Sequence, residues 1–131
     1  MITYLAALLV LQAPDSAVFI TRLGADTLVV ERMIRRGNRI EAEVLLRVPR
    51  TTRTQYTLEL SPSGELLRME SVREGRRELV TRAGDSLRIA VVTDSGRRER
   101  AVAADARTLP FIEMVHWPYE VALRRLRTAG G

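Results

Sequence analysis

Residues 39–60 read RIEAEVLLRVPRTTRTQYTLEL, and the alternation within them decides the fold. Ile40, Ala42, Val44, Leu46 and Val48 fall on one side of an extended chain, with Glu41, Glu43 and Arg47 on the other. That is a strand with one dry face and one wet face. Pro49 ends it, because proline has no N–H to give to a ladder. Beyond the break, Arg53 to Leu60 resumes the pattern, with Tyr56, Leu58 and Leu60 inward and Gln55, Thr57 and Glu59 outward. Two alternating runs either side of a short break predict antiparallel neighbours in a half-buried sheet.

The same rhythm extends in both directions. Upstream lie Val18 to Leu23, the Gly24-Ala25-Asp26 turn, Leu28 to Arg35 and the Gly37-Asn38 turn. Downstream, Ser61-Pro62-Ser63-Gly64 sets a turn through proline's fixed φ and glycine's left-handed freedom. Glu65 to Arg73 and Arg77 to Arg82 follow, joined through Glu74-Gly75. After Gly84, Leu87 to Thr93 carries Leu87, Ile89 and Val91 inward, and Asp94-Ser95-Gly96 leads into the polar run Arg97 to Ala104. The expectation is an all-β, antiparallel up-and-down meander of about eight strands, forming a curved open sheet or partial barrel.

The chain closes differently. Leu109-Pro110-Phe111 breaks the strand pattern, and Pro118 suits a first helical turn. The spacing predicts one C-terminal helix over 118–128, with Glu120 near its start and Arg124, Arg125 and Arg127 near its end, as the helix dipole favours. Tyr119, Ala122, Leu123 and Leu126 share a stripe, so Leu123 and Leu126 are expected against the concave face.

With 131 residues, 46% of them hydrophobic, the chain is one domain with a real core. No cysteine is present, which removes disulfides and thiolate chemistry but does not identify the compartment. The net charge is +5, and all 21 basic residues are arginine. Guanidinium forks suit phosphates and carboxylates, but GC-rich codons favour Arg over Lys whatever the task, and the 16 interspersed acidic residues support that plainer reading. Residues 1–13, MITYLAALLVLQA, carry no charge and resemble a signal-peptide apolar region, too short to span a bilayer. The absence of a preceding basic residue leaves a first element of the domain as the other reading. Residues 14–131 are the single β-rich domain. Export to the periplasm or beyond is the expectation, with a cytoplasmic location as the alternative.

Candidate chemistry is sparse. His116, the sole histidine, stands in a Met114-to-Tyr119 run and has no second His or any Cys with which to hold a metal. It either seals the join of sheet and helix with Trp117, or helps form a ligand mouth with Phe111, Trp117 and Tyr119. No serine lies in a nucleophile elbow, and Glu41, Glu43 and Glu59 read as a solvent face rather than a catalytic pair. No metal or cofactor is anticipated. In a meander, alternate turns share an end, so Arg47, Arg50, Arg53, Arg73, Arg76, Arg77, Arg97, Arg98 and Arg100 are expected to form a basic rim at one end.

Gly24-Ala25-Asp26-Thr27, Glu31-Arg32, Gly37-Asn38-Arg39, Tyr56, Ser63-Gly64-Glu65 and Leu109-Pro110 occur in an order that resembles uncharacterised exported bacterial proteins. The resemblance implies an open, curved antiparallel sheet, similar to the lipoprotein-carrier and lipid-binding half-barrels of the cell envelope. It carries over no site residue. The functional expectation is an exported, non-catalytic binding or scaffolding module whose groove holds a lipid or an apolar partner segment. The alternative is a cytosolic domain that binds a polyanion, nucleic acid or anionic surface through the arginine-rich rim.

Overall fold

The computed structural model describes residues 14–130; the apolar leader at 1–13 lies outside them. Eight strands form a single antiparallel sheet in strict sequence order. They are β1 (Asp15–Leu23), β2 (Asp26–Arg36), β3 (Arg39–Leu46), β4 (Thr52–Leu60), β5 (Leu66–Arg73), β6 (Arg76–Ala83), β7 (Ser86–Thr93) and β8 (Gly96–Ala103). β1 and β8 do not pair with each other, so the sheet is open. One helix, α1 (Trp117–Thr128), follows a connection that runs from 104 to 116. The meander expected from the alternation is the fold observed.

Register explains the core. Ile40 faces Leu58, Leu58 faces Met69, Met69 faces Val80 and Val80 faces Ile89, a row crossing five strands on one side. Ala42 opposite Tyr56, and Val44 opposite Glu31, lie in the next two rows of the same face. Paired residues share a face of the pleat, so each alternating run contributes its whole apolar set to one concave side. Val29, Met33, Ile40, Leu58, Leu60, Leu66, Met69, Val80 and Leu87 are buried there, together with Val115, Trp117 and Val121 from the connection and helix. The strand residues read as inward lie on this face, except Val48, which falls past the end of β3 and is largely exposed because the chain turns before Pro49.

The helix corrects one expectation. Leu123 and Leu126 are 54% and 61% exposed, while Trp117, Pro118 and Val121 are the buried residues of α1. The stripe that meets the sheet is Trp117 and Val121, continued by the half-buried Arg124 and Arg125. Hydrophobic spacing on the helix named a real stripe but the wrong side. The inner side is polar in its last turns because its arginines find acceptors across the gap.

Those arginines act with a third. Arg125 donates to the carbonyls of Gly64 and Arg107, the latter at 2.8 Å. Gly64 has φ +85, and a Cβ there would come within 3.2 Å of the Arg125 side chain, so glycine serves both the turn and the close approach. On β6, the Arg82 side chain is 9% exposed and pairs with Glu65 at 3.1 Å. It also donates to the carbonyls of Ala104 (2.9 Å) and Asp105 (3.0 Å). Arg82 and Arg125 thus tie the 104–108 connection to the β4–β5 turn. Buried backbone carbonyls without a strand partner need donors of this kind.

Candidate functional site

Two polar features interrupt the apolar concave face. The first is Glu31, fully buried in the middle of β2. Its carboxylate accepts the backbone N–H of His116 at 2.6 Å, that of Trp117 at 2.9 Å and the His116 ring Nδ1 at 3.2 Å. His116 is the N-cap of α1 and its own side chain makes no cap bond to the helix. Glu31 supplies the cap from the sheet, placing a negative charge against the positive end of the dipole. Phe19, opposite Glu31 in register, stacks on the His116 ring at 5.1 Å, and Tyr56 packs on Trp117 at 6.1 Å.

These contacts locate the four aromatic-segment candidates. Trp117 is buried and His116 is half-buried against Glu31 and Phe19, so both belong to the join of sheet and helix. Phe111 is 79% exposed, and Tyr119 projects from the outer side of α1 with Leu123 and Leu126. The structure does not bring the four together around one cavity. Glu31 is the residue that reading by motif missed. Its signal was its parity, between Val29 and Met33 on the inward side of β2.

The second feature is a groove of about 740 Å³ on the concave face of β6–β8. Ile89, Val91 and Thr93 of β7 form its floor, with Arg76 on one flank and the run from Ser95 to Arg100, including the Arg97–Glu99 pair, on the other. None of its lining residues belongs to α1. The helix directs its polar contacts to β1, β2, the β4–β5 turn and the 104–108 connection instead. The far half of the concave face is therefore uncovered. Tyr56 of β4, packed on Trp117, has its phenol pushed up by burial, with Arg73 acting against that and Glu31 and Glu78 with it.

The arginines of the expected rim divide between faces. The β1–β2, β3–β4, β5–β6 and β7–β8 turns share one end of the sheet, as strict strand order requires. On the convex side, Arg53 pairs with Glu43, Arg77 with Glu70 at 2.7 Å and Arg97 with Glu99 at 3.0 Å. The Arg77 hydrogen bond holds the Glu70 carboxyl below its ordinary value. On the concave side, Arg76 pairs with Glu78 at 3.0 Å, while Arg73, Arg98 and Arg100 make no ion pair among the described residues. Arg50 lies in the β3–β4 turn and is exposed. The opposite end is also arginine-bearing, with Arg35, Arg36, Arg39 and Arg82, each of them paired to a carboxylate. What separates the two ends is pairing and face, not the number of arginines.

No cluster of three or more His, Asp or Glu suited to a metal occurs among the described residues. No helix among them is long and apolar enough to cross a membrane. No family model, curated protein or solved structure matches this chain.

Proposed function

We propose that this chain is an exported binding module that holds an apolar ligand group in the uncovered half of its concave face. One observation carries the reading: Ile89 and Val91 sit on the core side of β7, yet line an open groove that α1 does not reach. Apolar side chains on the inner face of a sheet are normally covered by another layer. Here that layer stops short, leaving a concavity in the size range of small-molecule sites. The single histidine–carboxylate pair, His116 with Glu31, is engaged in anchoring α1, which favours binding over catalysis as the task. The polyanion reading is less favoured, because Arg53, Arg77 and Arg97 on the convex face are already matched to carboxylates.

The test uses the neutral fluorophore N-phenyl-1-naphthylamine, whose emission rises in apolar surroundings. The protein is expected to enhance its emission, and Val91→Gln to reduce that enhancement several-fold. Leu126→Ala, on the exposed side of α1, should leave it unchanged. An unresponsive probe overturns the reading, as does a loss that follows Leu126→Ala rather than Val91→Gln. Thermal melts of each variant separate lost binding from lost folding.

A further inference from the structure

We infer that the groove takes a single-chain amphiphile with an anionic head, a carboxylate or phosphate, and that Arg98 and Arg100 are head-binding residues. This rests on the groove reading above and adds the chemistry of its ligand. Three guanidinium groups, those of Arg76, Arg98 and Arg100, flank an apolar floor, and Arg73 stands beyond Arg76. Arg100 lies opposite Ile89 and Arg98 opposite Val91, so both arginines share the face of the floor they flank. Arg73 lies directly opposite Arg76, on that same face, across the β5–β6 turn. Like charges facing each other across a ladder destabilise a sheet. Glu78 is the one carboxylate of β6 on this face, and it is bonded to Arg76. An excess of positive charge therefore remains over Ile89 and Val91.

Edge protection explains part of this pattern, since charged side chains keep an open edge such as β8 from pairing with other chains. It does not explain the rest. Arg73 and Arg76 belong to interior strands, where no edge needs protection. Carboxylates would guard β8 equally well, yet its one acidic residue, Glu99, alternates away from the floor and, where it lines the groove, is already paired with Arg97. The arrangement of an apolar floor beside unpaired guanidinium forks matches a ligand with a hydrocarbon body and an oxyanion end.

Dodecyl phosphate and the neutral tetraethylene glycol dodecyl ether, both as monomers, are titrated against protein loaded with N-phenyl-1-naphthylamine. Dodecyl phosphate should displace the probe at about tenfold lower concentration than the ether, a difference the size of one charge-assisted hydrogen bond. The double variant Arg98→Gln, Arg100→Gln should erase that preference and leave displacement by the ether as it was. Arg53→Gln, on the convex face of β4 and outside the groove lining, should change neither. Equal displacement by both amphiphiles in the unaltered protein overturns the head inference while leaving the groove standing. Displacement by neither overturns the groove as well. Arginine-dependent binding to vesicles containing phosphatidylglycerol, without displacement by monomeric dodecyl phosphate, also overturns it and assigns the arginines to a membrane surface.

Discussion

At the scale of single residues, Glu31 is the most consequential side chain in the molecule. Its three hydrogen bonds hold the first turn of α1 onto β2, so the helix is positioned by a charge on the sheet. Removing it leaves two backbone N–H groups without their acceptor, and each such group costs about 1–3 kcal/mol. Glu31→Ala is therefore expected to lower unfolding free energy by about 2–4 kcal/mol in urea titrations. A change below about 0.5 kcal/mol would show that water takes over the role without loss. Glu31→Gln keeps one acceptor oxygen and should fall between. No motif singles out Glu31 in the sequence, although its parity with Val29 and Met33 in β2 places it on the inward side. What it meets there, the N-terminus of a helix 85 positions away in the chain, is a long-range fact.

At the scale of elements, α1 is attached by its first two turns and by its arginines. Trp117 is fully buried, and Trp117→Ala should destabilise by about 3–5 kcal/mol, the range for deleting a large core side chain. Leu126→Ala, at 61% exposure, should stay within about 0.5 kcal/mol. The reverse order would mean that α1 turns its other stripe to the sheet. Arg82→Met removes the donor that holds the carbonyls of Ala104 and Asp105 while preserving most of the packed stem. A loss of about 2–3 kcal/mol is expected, as for hydrogen bonds to a charged group. Hydrogen exchange should show the 104–116 connection opening before the strands. The sequence named the helix to within a residue at its start, 118 against the observed Trp117. It misplaced the packed side because apolar periodicity says nothing of the Asp15 carboxylate that meets Arg124 or the carbonyls that meet Arg125.

For the whole molecule, the shifted groups define how stability should follow pH. The Glu70 carboxyl is lowered by Arg77, and that of Asp105 by the Arg107 backbone N–H and the Thr108 hydroxyl. A lowered carboxyl stabilises the folded state above its unfolded value and loses that contribution as pH falls through the folded one. Acid melts should thus show a decline beginning near pH 4, modest because both groups are close to solvent. The raised Tyr56 phenol works at the other extreme. Its contribution is complete below the unfolded value near pH 10 and fades as pH rises towards the folded one. Tyr56→Phe should flatten the alkaline decline measured in melts above about pH 10. A decline identical in both proteins would place its origin elsewhere.

By itself, the sequence determined the number, order and inward face of the strands. Those follow from period-two alternation and from turn residues such as Pro62, Gly64 and Gly75, which act within a few residues of where they stand. Ile40, Leu58 and Ile89 could be assigned to the core because a strand offers only two faces and charge marks the wet one. Tertiary structure alone decided the partners of the polar residues. That Arg53, Arg77 and Arg97 meet carboxylates while Arg98 and Arg100 flank an apolar floor depends on which strand lies beside which, and on which side. That α1 covers the β1–β5 half of the concave face, leaving the β6–β8 groove open, depends on Glu31 and on the carbonyls that Arg82 and Arg125 hold. Hydrophobic burial is non-directional and therefore readable from pattern, whereas hydrogen bonds and ion pairs are directional and take their meaning from geometry.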